Sequence, residues 1–395
     1  MINIIFNIFC VLILLIIFIR VLYRCIRKGN TIASSDIIFI KNTWKNNYML
    51  GAIEIMDNPL ISTEDYLKGM RKRIEDWELN THWYKNFQIK GKFEINNKLK
   101  EPTLLKQLCN TTPPLINGHL LPFKIIFLKK VNKIFVLLNH YYCDGLILHD
   151  IIIKIIANSN STITFLNYKY IPVYSDILLL KYGIKEIYKL FIKQHIPLQL
   201  NNKKSTIITK EFKYKDKINR WIAFALNIHT LFKYIDLDVL RVGFTVGFND
   251  VTTYSNNRIG IIIIDIPKLN TLEEYKLFLK KQIIKNKEDA ITSYDLIRNF
   301  PIHMLRKKLD NKIDVIYTSF KLDGNDNHEK NVYWNIINYY LGSFIGIGKI
   351  PIYMLAITED YEKKIKTTIK STTYNFNYKK FLKNEPDSNK IYTFK

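Results

Sequence analysis

Residues 133–156 read KIFVLLNHYYCDGLILHDIIIKII, and this stretch decides the fold. Ile134 to Leu138 is an unbroken apolar run of strand length, the pattern of a strand covered on both faces. His140 follows at its end. Three residues separate His140 from Asp144, Gly145 allows a tight turn, and a strongly apolar segment at 146–156 reads as the next helix. A titratable imidazole is thus set at the mouth of a strand–loop–helix unit, where loops on a rigid frame commonly carry chemistry. An imidazole near its ordinary pKa of about 6.5 is suited to take a proton at neutral pH.

Working outward, residues 123–128 form a second strand-like run, set off from the first by a Lys-rich turn at 129–133, and 93–95 forms a third. Residues 62–76, STEDYLKGMRKRIED, begin with a Ser-x-x-Asp helix start and carry apolar positions at helical spacing. Past a Lys-rich crossover at 183–205, the pattern restarts with a strand at 206–214 and a helix at 217–235. It continues as strand, helix, strand and helix over 240–247, 271–286, 313–320 and 358–371. This is an α/β chain of two lobes with mixed sheets flanked by helices. The partition is a membrane anchor with basic flank at 1–28, a first half at 29–190 and a second half at 191–395.

The chain has 395 residues, 48% of them hydrophobic, which suffices for a sizeable core and excludes general disorder. Residues 1–19, MINIIFNIFCVLILLIIFI, are apolar except for Asn3 and Asn7, and Arg20, Arg24, Arg27 and Lys28 follow. At 1.5 Å per residue the run reaches about 28 Å, enough for one hydrocarbon core. Positive charge after the run, and no small-residue cleavage site, mark a single-pass anchor that keeps the remaining chain cytoplasmic, in an endoplasmic-reticulum-like or inner membrane. The net charge is +24. It suits anionic headgroups and phosphates, and no nucleic-acid motif accompanies it. Cys10, Cys25, Cys109 and Cys143 are scattered, with no pair spaced for zinc, so neither a disulfide framework nor a metal is expected. His82, His119, His195, His229, His303 and His328 have no partner at catalytic or metal spacing, and His149 sits within the helical run.

The segment Asn139-His140-Tyr141-Tyr142-Cys143-Asp144-Gly145 resembles the H-H-x-x-x-D-G signature of the chloramphenicol-acetyltransferase-like superfamily, which includes acyl-CoA-dependent acyltransferases and condensation domains. His140 falls on the catalytic second His, and Asn139 replaces the first. Within that superfamily the chain resembles the wax ester synthase/diacylglycerol acyltransferases. The resemblance runs in order through Ser35-Asp36-Ile37-Ile38-Phe39, the stretch 48–56, Leu121-Pro122-Phe123, Ile218-Asn219-Arg220 with Arg220 where the family has Asp, residues 242–267, and DVIYTSF at 314–320.

The resemblance implies an O-acyltransferase that moves a fatty acyl group from acyl-CoA, a co-substrate rather than a bound cofactor, to a long-chain alcohol or diacylglycerol. His140 is the implied general base, and Asp144 holds the loop through an ion pair with an arginine. Gly145 leaves room for the acyl chain, Asn139 and Asn219 line the substrate path, and Thr318 or Ser319 supplies an oxyanion donor. Two other readings stay open. One is an acyltransferase with a sterol, small-alcohol or amine acceptor; the other is a non-catalytic lipid- or CoA-binding membrane protein.

Overall fold

The computed structural model describes residues 48–55, 62–80, 92–104, 115–116, 119–120, 123–139, 151–156, 162–165, 167–169, 195–199, 205–213, 220–249, 259–286, 289–291, 312–323, 334–339, 351–359, 364–371, 375–384 and 390–394, with a few scattered positions besides. They build two large sheets flanked by helices. The first has five strands, in the order β13 (Trp334–Tyr339), β1 (Tyr48–Ile55), β6 (Lys133–Asn139), β5 (Phe123–Leu128) and β2 (Lys92–Asn96). Only the β2–β5 pair is parallel.

β6 is the central strand, and Ile134, Phe135, Val136, Leu137 and Leu138 are all buried. Its unbroken apolar run therefore has cover on both faces, as expected from the sequence. A short 3-10 turn at Lys129–Val131 joins β5 to β6, and Asn132 closes it at a φ of 47°, a left-handed conformation that Asn tolerates better than most side chains. Helix α1 (Thr63–Asn80) begins where the Ser-x-x-Asp pattern puts it. The Ser62 hydroxyl accepts from the Asp65 amide at 3.1 Å and donates to the Asp65 carboxylate at 2.6 Å. Leu67, Met70 and Ile74 form its buried stripe.

The second sheet has nine strands. Seven lie in the order β11 (Ile259–Pro267), β10 (Val239–Asn249), β12 (Val315–Asp323), β14 (Ile352–Glu359), β15 (Lys364–Ser371), β9 (Ser205–Lys213) and β16 (Lys390–Phe394). Two short strands, β7 (Thr162–Phe165) and β8 (Asn167–Lys169), pair with β12 and β10 respectively. A separate small pair, β3 (Leu115–Ile116) with β4 (His119–Leu120), carries His119.

One core joins this sheet to the helices α2 (Arg220–Tyr234), α3 (Leu272–Lys285) and α4 (Tyr378–Asn384). From α2, Phe224 stacks on Tyr317 at a centroid distance of 4.2 Å and leans on Phe244 at 5.0 Å. Thr271 caps α3 in a reciprocal box with Glu274, and Tyr275, Leu279 and Ile283 are its buried face.

One expected element is overturned. Residues 358–371 are not a helix but the end of β14 and all of β15, an antiparallel hairpin that closes with Glu359 opposite Lys364. Ile365, Thr367, Ile369 and Ser371 are buried, so the apolar period here is two rather than 3.6. The β-branched Ile and Thr run is at home on such a pleated surface.

The sheets also exchange strands across the chain. β7 and β8, from residues 162–169, join the second sheet, and β13, from residues 334–339, forms the outer edge of the first. No helix among the described residues is long and apolar enough to cross a membrane. Of the apolar segment at 1–19, only Val11, Leu14, Leu15 and Phe18 are described; they are helical, share one face and are 50–65% exposed.

Candidate functional site

His140, Asp144, Gly145 and Asn219 lie outside the described residues, and Asn139 is described as the last residue of β6, its backbone opposite Tyr48 of β1. What brackets the H-x-x-x-D-G segment is well defined. On one side stands the central strand of the first sheet. On the other, Leu148 is helical and buried, and Ile151–Ile156 forms a π-helical turn with Ile151, Ile152 and Ile156 buried. A π turn inside a helix is a rare geometry found often near functional sites.

The far end of that helix is held by α1. The Tyr66 hydroxyl and the Arg73 guanidinium, the latter at 3.2 Å, both donate to the Ile156 carbonyl, an oxygen that a helix end leaves without an intrahelical partner. Arg73 also sits 5.9 Å from the centroid of the Tyr66 ring. Burial pushes the Tyr66 phenol up to about 12, against a smaller opposing pull from Arg73, so it remains a neutral donor at physiological pH. Burial lowers Arg73, with Tyr66 acting the other way.

Thr318 and Ser319 are consecutive on β12, so their side chains point to opposite faces of the second sheet. The Tyr353 hydroxyl donates to Thr318 Oγ1 at 3.0 Å, Thr245 Oγ1 lies 3.0 Å on the other side, and Thr245 reaches the Tyr317 carbonyl at 3.3 Å. One consistent direction, Tyr353 to Thr318 to Thr245 to carbonyl, gives every proton in that chain an acceptor. Thr318 is therefore engaged. Ser319 is on the face covered by α2, with Tyr317 and Ala356, and its buried hydroxyl has no hydrogen-bond partner among the described residues. A buried, unpaired hydroxyl is costly, and such groups call for a specific explanation.

One polar centre was not anticipated. Asp314, fully buried just before β12, accepts from His195 Nε2 at 2.6 Å, from the Leu198 amide at 2.9 Å and from the Arg241 amide at 2.8 Å. Its own amide donates to the Arg241 carbonyl, and its carbonyl accepts from the Ile352 amide. With both carboxylate oxygens already accepting, His195 Nε2 carries the proton of that bond. Across the β10–β11 pair, the buried Arg241 side chain meets Asp265 at 2.8 and 3.3 Å. His195 and Asp314 are 119 positions apart, so no local spacing connects them. The usable signal was the lone acid placed directly before an apolar strand. No group of three or more His, Cys, Asp or Glu that could hold a metal occurs among the described residues.

No protein-family model and no curated protein sequence matches the chain. Solved structures do. A variant of the starter condensation domain of the rhizomide synthetase RzmA superposes with a TM-score of 0.51 at 9% identity, over 90% of this chain and 93% of that one. Another variant of the same domain, in complex with C8-CoA and Leu-SNAC, gives 0.53 at 9% identity, over 87% and 88%. This chain has the condensation-domain fold. The wax ester synthase/diacylglycerol acyltransferase from Marinobacter aquaeolei VT8 is also similar, with a TM-score of 0.49 at 9% identity, over 89% of this chain and 95% of that one. The likeness to condensation domains thus extends over most of the chain.

Proposed function

We propose that the protein is an acyl-CoA-dependent O-acyltransferase, anchored by residues 1–28 with its two acyltransferase halves, 29–190 and 191–395, on the cytoplasmic side. The observation that carries this reading is a condensation-domain fold with the sequence His140-x-x-x-Asp144-Gly145 set between a central buried strand and a buried helix. Acyl-CoA as donor is supported by the C8-CoA that one such domain holds. The lipid acceptor, a long-chain alcohol or diacylglycerol, rests on the resemblance to wax ester synthases and on the apolar amino-terminal segment, which would hold the protein where such alcohols partition.

In this mechanism neutral His140 takes the hydroxyl proton as the alcohol attacks the thioester carbonyl. The proton then passes to the departing thiolate as the tetrahedral intermediate collapses to ester and CoA-SH. No covalent acyl-enzyme is needed. Asp144 fixes the loop, and Asn139, Gly145 and Asn219 line the path. Of the two oxyanion candidates we assign Ser319, whose hydroxyl has no partner among the described residues, rather than Thr318, whose hydroxyl is already engaged.

The test is transfer from labelled acyl-CoA to hexadecanol and to diacylglycerol. His140→Ala should lower ester formation by roughly 10²–10⁴-fold, and Ser319→Ala by roughly 10²–10³-fold. Undiminished ester formation in His140→Ala would refute the mechanism, and a product that is only an amide would replace the acceptor class.

A further inference from the structure

We infer that the outward face of α3 is a second membrane contact, docking on an anionic lipid surface. Among the described residues outside the amino-terminal segment, the large apolar side chains most exposed on any helix are Leu277 and Ile284, at 70% and 63%. They are seven positions apart on α3, so they share nearly one azimuth and lie about 10 Å apart along the axis. Lys280 and Lys281 flank the line between them, and Lys285 lies to one side of it at the end of the helix; all three are exposed and carry no ion pair among the described residues. Lys276 is instead paired with Glu273, in the first turn.

The opposite face of α3 is locked. Tyr275, Leu279 and Ile283 are buried in the core, the Tyr275 hydroxyl accepts from the Leu269 amide at 2.8 Å, and the Thr271–Glu274 box fixes the start. The outer stripe cannot turn inward. Two apolar side chains framed by unpaired lysines are the pattern of a helix lying in a headgroup layer, with the apolar tips inserted and the lysine heads at phosphate level. The net charge of +24 gives the approach the right sign. The inference rests on the membrane part of the proposed function and not on acyl transfer.

The experiment uses the full chain with vesicles of phosphatidylcholine alone or mixed with phosphatidylserine. Leu277→Trp and Ile284→Trp each place an indole on the stripe, and quenching by brominated lipid is read against the parent chain and its five tryptophans. Added quenching on anionic vesicles is expected, and less on neutral ones. Each basic residue near the surface contributes about five-fold to docking, so Lys280→Gln/Lys281→Gln should cut the docked population about thirty-fold. If the chain sediments with vesicles but neither introduced indole is quenched beyond the parent, α3 does not dock and the inference fails while the anchor stands. A chain that does not sediment with vesicles at all overturns both. Concentration-dependent shielding of the indoles without lipid would instead assign the stripe to a second copy of the chain. A parallel His140→Ala chain should dock unchanged, which separates this outcome from the fate of the catalytic reading.

Discussion

Removing the Asp314 carboxylate should be among the most destabilising single changes available. In Asp314→Ala, the Leu198 amide, the Arg241 amide and the largely buried His195 imidazole lose acceptors at 2.9, 2.8 and 2.6 Å around a carboxylate that has no solvent contact. Each buried donor left unmet costs about 1–3 kcal/mol, and partial relaxation brings the total to about 3–5 kcal/mol, as for other buried pairs broken from one side. For a chain of 395 residues that is roughly a 4–6 °C fall in the thermal midpoint. Asp314→Asn should rescue little, because its amide nitrogen must face one of three donors. His195→Ala removes one partner and leaves the carboxylate its two backbone donors, so it should cost clearly less, about 1–2 kcal/mol. Denaturant unfolding followed by intrinsic fluorescence checks all three. An Asp314→Ala protein within about 1 kcal/mol of the parent, or one no worse than His195→Ala, would refute the assignment of Asp314 as the shared acceptor.

At Gly243 a methyl group would stand 2.6 Å from the Ile316 Cδ1 atom and 3.1 Å from Ile261 Cγ2, inside a close-packed region. Gly243→Ala is therefore expected to cost about 1–3 kcal/mol, and Ile316→Val, which deletes the clashing atom, should recover part of it in a double-mutant cycle. A different measurement follows from the buried phenols. Desolvation raises Tyr66 to about 12 and raises Tyr317 and Tyr353 as well, each with a smaller opposing hydrogen bond or charge. Their unfolded value is 10.0, so the stability they contribute is present below that pH and is lost as pH climbs past it. The tyrosinate absorbance of these three phenols should develop together with unfolding rather than before it, and Tyr66→Phe should lessen the alkaline loss. Phenolate formation by all of the tyrosines in a still-folded chain would contradict the burial.

Much of the frame was legible because it is local. The apolar runs of β5 and β6 name their strands directly, and Ser62 with Asp65 names the start of α1. Residues 358–371 misled because a Lys-rich stretch with Ile365 and Ile369 four apart satisfies the helical period as well as the strand period; the β-branched threonines between them were the deciding residues. At Thr318 and Ser319 the alternation of a strand already implies opposite faces. Which hydroxyl is spent depends on Tyr353 and Thr245, contributed by two other strands. The Asp314 centre is invisible for the same reason, since its donors come from positions 195, 198 and 241. The candidate base and its Asp-Gly partner were legible as a motif and as a strand–loop–helix context, and the described residues supply that context on both sides.

The exchange of strands has a consequence for biosynthesis. β1 ends at Ile55, but β13, its outer partner, begins only at Trp334. Elongation at 5–20 residues per second separates the two by roughly 15–60 s. During that interval the first sheet has an open edge, a ready template for pairing with another chain. β7 and β8, made early, likewise wait for β12 and β10. Neither half completes its hydrogen-bond ladder until the other has been synthesised, so a ribosome stalled midway would release a chain with two unmet edges rather than one finished domain.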